Sequence, residues 1–360
     1  MRENNVMQVS DDLLRVHPLY PFRFAPIYKD YLWGGARLRT RFGRTLPQEG
    51  IAESWEIVDR PQDESVVVNG PLRGRRLNEF VQHRCTDLFG TDFVACHNPS
   101  RFPLILKYLD ARLPLSVQVH PDDATTVAMG LNDYGKTETW IIVDAEPGSK
   151  LWIGTNRNYP KAELENAFQS GELERCLNEV PAKIGDCFFI PPGTLHALGA
   201  GIMVAEVQTN SDVTFRLFDW NRVGPDGKPR ELKVAEAMRS LVDPCIPVLA
   251  RPAFPTAYKM CECLLIGEPF TLNRWTLTDP FVWKNDAHAH LWTVLDGTAT
   301  VIFNAGRRTS PQGQSGREGD PDAIEVLSQG DSILVPAMCS NLRWIVESGH
   351  QTTLLDILLT

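Results

Sequence analysis

The sequence predicts a mainly β protein made of two β-barrel domains, the N-terminal one carrying helical insertions. Three observations support this. Short runs of alternating or β-branched residues recur between Pro, Gly and Asn-Gly turn signals, as in AESWEIVD, ESVVVNG and LPLSVQVHP. Helical spacing of apolar residues is confined to a few segments, chiefly 75–88 (RRLNEFVQHRCTDL), 160–177 and VAEAMRSL. The strand pattern starts again after a Pro-rich stretch, 244–255 (PCIPVLARPAFP), which reads as a linker. With 360 residues, 43% of them hydrophobic, the chain is long enough for two compact cores.

Taken in order, residues 1–20 are expected to form an arm, 21–245 the first domain and 246–360 the second. Gly34-Gly35 marks an early turn in PFRFAPIYKDYLWGGARL. In the strand AESWEIVD, Glu53 and Glu56 flank Trp55, and at least one of these carboxylates reads as exposed. The strand FPLILKYLDA follows the 75–88 helix. His83 and His97, in or beside that region, have no partner at ligand spacing and read as structural or exposed. Pro160 suits the start of the 160–177 helical segment, and Gly171 interrupts or ends its first part.

The chemistry concentrates in 115–143, LSVQVHPDDATTVAMGLNDYGKTETWIIV. Leu115, Val117 and Val119 alternate with Ser116, Gln118 and His120, so one strand face is apolar and the other polar. Glu138 stands at the entrance of a second strand, after a turn at 135–137. Burying three polar groups on one face costs free energy unless each finds a partner, and a metal or polar ligand would supply those partners together. GDCFFIPPGTLHAL (185–198) adds one more group. Pro191 and Pro192 end its strand, Gly193 supplies a turn, and His196 faces inward. Its pattern, Gly185-x5-Pro191-x-Gly193-x2-His196, resembles the second cupin motif, which would make both domains cupins, that is, jelly-roll β-barrels. Gln118, His120, Glu138 and His196 mix two imidazoles with oxygen donors, a set that suits a borderline divalent metal with positions open to substrate.

Beyond His196, GIMVAEVQTNSDVTFRLFDWNR reads as two strands around a turn at 210–212. Arg216 alternates with Phe215 and Leu217, so it is either exposed or turned into a polar cavity. PDGKPRE reads as a loop. The second domain resembles a decayed cupin: His288 and His290 keep an HxH spacing, but Val294 stands near the expected Glu, Met338 at the glycine position and Asn341 at the histidine position. A metal-free structural domain is therefore expected. Its Gly-rich polar loop, 305–322, is expected to be mobile.

A net charge of -9 and a pI near 5.4 argue against a general affinity for nucleic acid or an anionic membrane, and an anionic substrate would need local cations. The first twenty residues hold no apolar core of signal-peptide length and no later run suits a membrane span, so a soluble, cytoplasmic protein is expected. The eight cysteines lack CxxC pairs and are expected to be reduced and mostly buried.

YLWGGARL, AESWEI, NGPLRGRRL, LPLSVQVHPDD, GKTETW and IPPGTLHALGAGIMVAEVQTNSDVTFRLFDWNR, with the degenerate second domain, resemble the type I phosphomannose isomerases in their shorter bacterial form. The resemblance spans nearly the whole chain. It implies an enzyme that interconverts mannose 6-phosphate and fructose 6-phosphate by proton transfer between C1 and C2 through a cis-enediol. It also implies one zinc per chain on His120, Glu138 and His196, with Gln118 as fourth ligand, all in a catalytic first domain. Arg216 would be the active-site arginine, Asp212 would border the substrate, and Ser116 and Lys136 would lie in the sugar-phosphate pocket. Thr139 departs from the short forms, where a cysteine is common. The partner implied is a small sugar phosphate, and a monomer or weak homodimer is expected.

Arg216 is always protonated, so it suits stabilising an enediolate or clamping a phosphate more than serving as the base. Lys136 and Asp212 are the candidates for moving the proton. Two other readings compete. Two His and a carboxylate also suit an Fe(II) cupin dioxygenase, and a non-catalytic sugar-binding cupin is the third reading, against which the complete ligand set argues.

Overall fold

The computed structural model describes residues 13–224, 227–267, 269–304, 322–339, 341–347 and 349–360. The chain divides into two units. One comprises 27–55 and 104–252, the other the described residues up to Pro26 with 56–103 and 253–360. The helical stretch near 75–88 thus groups with the C-terminal strands, a grouping that a linear division at 245/246 does not describe.

The strands of the first unit, in chain order, are β1 (Ile27–Lys29), β2 (Glu53–Ile57), β3 (Leu104–Ala111), β4 (Val117–Val119), β5 (Glu138–Ala145) and β6 (Lys150–Tyr159). They continue with β7 (Leu177–Pro181), β8 (Cys187–Ile190), β9 (His196–Ala197), β10 (Ile202–Thr209), β11 (Phe215–Phe218) and β12 (Cys245–Pro247). One sheet runs β1-β2-β3-β10-β5-β8 and the other β11-β4-β9-β6-β12, with β7 beside β6. The stretch read as a linker is therefore partly an edge strand: Cys245 and Pro247 pair with Tyr159 and Gly154 on β6. An edge tolerates the prolines because only one side of the strand needs donors.

The alternation in β4 now has a cause. Val117 and Val119 pack in a core with Leu195 and Leu217 and with Leu164, Ala237 and Met238 from the helices Lys161–Gln169 and Val234–Ser240. The opposite face of β4, bearing Gln118, is left to the other sheet. The 160–177 segment folds as its residues suggest: Pro160 caps the helix, Gly171 has a positive φ of 75°, and a short 3-10 turn, Leu173–Cys176, follows. The 75–88 helix is broken. It runs Leu77–His83, then restarts as Cys85–Phe89 and Thr91–His97. At the break the buried Arg84 donates to the carbonyls of Leu14 (2.6 Å) and His17 (2.9 Å) and pairs with Asp87. Residues 13–20 are accordingly a packed segment with Leu14, Leu19 and Tyr20 buried, whereas 1–12 of the expected arm lie outside the described residues.

The strands of the second unit are β13 (Phe254–Pro255), β14 (Cys261–Leu265), β15 (Phe270–Leu277), β16 (Phe281–Trp283), β17 (His290–Asp296), β18 (Thr298–Asn304), β19 (Asp322–Ser328), β20 (Ser332–Val335), β21 (Leu342–Val346) and β22 (Thr352–Leu359). Its six-stranded sheet, β13-β14-β15-β22-β17-β20, repeats the order of the first unit's sheet strand for strand. Most of the expected loop, 305–321, lies outside the described residues. The HxH reading is corrected by this topology. Glu138 opens β5 opposite Ile190 and Gln208, and His290 opens β17 opposite Val335 and Leu358. His290 thus stands at the counterpart of Glu138, not of His120. Asp356, opposite Trp292, likewise matches Glu206, opposite Trp140.

His290 is buried between two carboxylates, with Nδ1 2.7 Å from Asp356 and Nε2 3.0 Å from Asp286. Burial alone would lower its pKa, but the two acids outweigh burial and raise it to about 9. A raised histidine pKa stabilises the fold fully below the unfolded value near 6.5, and the contribution is lost as pH rises towards about 9. His290→Ala is expected to destabilise by about 3–5 kcal/mol and to flatten the fall in melting temperature between pH 6.5 and 9. A variant that melts with the wild-type pH profile would remove His290 from this role.

Candidate metal and substrate site

Glu138 opens β5, His196 opens β9, and Gln118 lies on β4 with His120 directly after it. Across the sheet Gln118 pairs with His196 on β9 and with Arg216 on β11. Gly193, at a φ of 80°, donates its N–H to the His120 carbonyl at 2.8 Å, so the turn before His196 is tied to the strand end that carries His120. A Cβ at that glycine would lie 2.8 Å from the Val242 nitrogen, which rules out a side chain as well.

His120, Glu138 and His196 are all fully buried, and one donor atom from each lies within 4.8 Å of the others. Among the described residues they form the one group of His, Cys, Asp or Glu close enough to hold a metal. Both imidazoles are oriented from behind: Nδ1 of His120 donates to the Val213 carbonyl (2.8 Å) and Nδ1 of His196 to the Thr194 carbonyl (2.9 Å). A carbonyl only accepts, so each Nε2 is left to face Glu138, at 3.4 Å from His120 and 3.1 Å from His196. Burial and the nearby Lys136 push the His120 pKa down to about 3 against the pull of Glu138, so its ring is neutral. His120 Nε2 and both Glu138 oxygens are buried without a hydrogen-bond partner, although Lys136 Nζ lies 2.8 Å from Oε2. Lone pairs converging in a dry space are costly, and a cation between them relieves that cost. Gln118 Nε2 is 3.2 Å from His196 Nε2, which puts the amide at the same point.

Of these groups Gln118 lines a cavity of about 220 Å³ that also takes in Ser116, Lys136, Asp212 and Arg216. All the residues singled out for substrate or catalysis therefore meet in one place. Arg216 Nε donates to Ser116 Oγ at 3.2 Å and Nη1 to the Glu231 carbonyl at 2.9 Å. Lys136 is buried; desolvation works against its charge, but Glu138, Glu206 and Glu53 outweigh that and raise its pKa. Asp212 is exposed at the rim, its backbone N–H bonded to Asp133. A larger cavity, about 420 Å³ beside Gly34, Arg39 and Arg112, contains none of the ligand candidates.

Sequence reasoning missed four charged groups in the 220 Å³ cavity: Glu53, Lys107, Glu206 and Arg230. Glu53 and Glu56 are both buried, so the exposed-carboxylate reading fails. Glu53 accepts from Trp55 Nε1 at 2.6 Å and lies 3.9 Å from Lys107, while Lys107 is 3.6 Å and Lys136 3.8 Å from Glu206. The signal was present in the sequence: a single Lys inside LILKYLDA and a single Glu inside IMVAEVQT are charges in otherwise buried strands, and such charges need partners.

The family model for the type I phosphomannose isomerase catalytic domain matches residues 21–139. Mannose-6-phosphate isomerase ManA of Bacillus subtilis is 35% identical over 283 residues, covering 78% of this chain and 87% of that protein. The mannose-6-phosphate isomerase of Streptococcus mutans is 36% identical over 272 residues, covering 75% and 83%. A crystal structure of the mannose 6-phosphate isomerase from Bacillus subtilis superposes with a TM-score of 0.80 at 29% identity, covering 94% of this chain and 99% of that one. The paired antiparallel sheets and this match bear out the mainly β, cupin expectation.

Proposed function

The chain belongs to the type I phosphomannose isomerase family and is an isomerase, and from that premise we propose that it interconverts mannose 6-phosphate and fructose 6-phosphate with one zinc ion held by Gln118, His120, Glu138 and His196. The observation that carries the metal is the convergence of buried donor atoms, His120 Nε2 and both Glu138 oxygens, near a cavity bearing Arg216 and Lys136. Bound there, a divalent metal supplies Lewis acidity towards the sugar's carbonyl and hydroxyl oxygens without a redox change.

The chain's own residues do the rest. Arg216 carries a fixed charge that offsets the negative charge developing in the enediolate or held on the phosphate. Ser116 orients that guanidinium. Lys136 and Asp212 border the same cavity and are the groups placed to move the proton between C1 and C2. Burial of the cavity floor by Trp55, Trp33 and Leu109 limits competing water. A cytoplasmic location, a small-molecule sugar phosphate as partner and a monomeric or weakly dimeric state belong to the same reading. No helix among the described residues is long and apolar enough to cross a membrane.

Metal analysis combined with oxygen uptake tests this against the dioxygenase alternative. The purified protein is expected to carry zinc near one equivalent, to yield fructose 6-phosphate from mannose 6-phosphate and to consume no oxygen. Iron-dependent oxygen uptake without isomerisation would favour the dioxygenase.

A further inference from the structure

We propose that the cavity of about 420 Å³ beside Gly34 is a second ligand site, suited to a small organic anion, and that its occupant is coupled to the 220 Å³ cavity through residues 31–36. No residue singled out for the metal, the substrate or the proton transfer lines it. Its volume lies within the range of about 300–1,000 Å³ usual for small-molecule pockets, and all of its lining belongs to the first unit.

The charge at this cavity runs against that of the chain. The net charge is -9, yet Arg39 and Arg112 line the cavity against a single carboxylate, Glu49. Glu49 meets Arg39 at 3.4 Å with its side chain 92% exposed, a surface pair worth little that a ligand carboxylate or phosphate can replace. Among the described residues Arg112 has no carboxylate partner; its Nε donates to the Gly34 carbonyl at 3.1 Å, which holds the guanidinium and leaves its terminal nitrogens to a ligand. Between the two arginines the lining is largely glycine backbone, at 34, 35 and 50, with Leu46 offering apolar contact, so the space stays open for the body of a ligand. Guanidinium forks bordering an open space suit an anion that each can grip with two bonds.

The coupling follows from the path of the chain. Tyr31 and Trp33 line the 220 Å³ cavity, whereas Gly34, Gly35 and Ala36 line the larger one. The Trp33 carbonyl accepts the backbone N–H of Arg112 at 2.8 Å, and the Arg112 side chain holds the next carbonyl, that of Gly34. The Trp33 ring packs against Tyr31, their centroids 5.7 Å apart. An anion that draws on Arg112 therefore acts on the peptides that seat Trp33, and each site changes the other's affinity by the same factor.

The test titrates wild type, Arg112→Gln and Arg39→Gln by calorimetry, with succinate as the carboxylate probe and glycerol 3-phosphate as the phosphate probe. Melting temperature and metal content are checked for each, and KM and kcat for mannose 6-phosphate are measured at rising probe concentration. At least one probe is expected to bind the wild type saturably, and each substitution to weaken that binding about tenfold to a hundredfold. The probe that binds identifies the anionic group. It is expected to shift the KM of the wild type and, at the same concentration, to leave that of Arg112→Gln unmoved. No saturable binding of either probe, or equal binding to wild type and both variants, would overturn the site. Binding that leaves KM and kcat unchanged would overturn the coupling, and inhibition by glycerol 3-phosphate that persists in Arg112→Gln would place that probe in the 220 Å³ cavity and count against a phosphate ligand here. The coupling rests on the isomerase reading; the calorimetry does not, so a wild type that fails to isomerise mannose 6-phosphate still has the site decided by titration.

Discussion

His196→Ala is expected to lose its metal through dialysis and to lose turnover with it. Replacing groups that merely orient a ligand costs about 10- to 100-fold in metal affinity, so removing a ligand should cost more than about a hundredfold. The geometry is demanding at this position. His196 is fully buried, its Nδ1 is fixed on Thr194, and its Nε2 points at Glu138 from 3.1 Å. A readout independent of turnover exists, because a ligand that binds only the folded state raises its stability by about 2.7 kcal/mol at a hundredfold excess over Kd. Zinc should therefore raise the melting temperature of the stripped wild type and leave that of His196→Ala unmoved. A variant that keeps stoichiometric zinc would contradict the ligand assignment.

Arg216→Ala is the second large effect. At full metal occupancy it is expected to lower kcat/KM by about 10²- to 10³-fold, the range found when a group opposing developing charge is removed. Arg216→Lys should recover only part, since an ammonium cannot reproduce the guanidinium contacts to Ser116 and to the Glu231 carbonyl together. Loss of metal in Arg216→Ala would mean that the residue acts on the ligand strand; it pairs with Gln118 across β11 and β4, so metal content is measured alongside turnover.

The residues of the candidate metal site were legible because each sits at a place where local rules break in a recognisable way. Val117 and Val119 needed a core and Gln118 and His120 did not, so the alternation in β4 announced a polar interior face before any fold was known. His196 followed a Pro-Pro-Gly turn whose glycine is required by a positive φ and by Val242. Arg216, Lys136, Ser116 and Asp212 do border one cavity, but their convergence depends on which strands become neighbours, and strand order is not written in period-two patterns.

The failures have the same origin. At least one of Glu53 and Glu56 reads as a surface carboxylate until β2 is seated beside β3, where Trp55 and Lys107 meet Glu53. Arg230 lies in what reads as an ordinary polar loop, and only its bonds to Asp219 turn it towards the cavity. The HxH pair in the second unit matched a spacing and not a topology: His290 occupies the counterpart of Glu138, where it is trapped between Asp286 and Asp356, while His288 is exposed. The broken helix at Arg84 was likewise hidden, since the apolar periodicity continues through Arg84, whose guanidinium meets the Leu14 and His17 carbonyls only once the chain has folded.

The most direct test of the central claim is the conversion of mannose 6-phosphate to fructose 6-phosphate by the untreated protein, by an EDTA-stripped sample and by the stripped sample with zinc restored. The account predicts turnover in the first, its loss in the second and its return in the third at about one zinc per chain. Undiminished turnover in a sample shown to be free of metal, or no turnover in a folded, zinc-loaded sample, would contradict it.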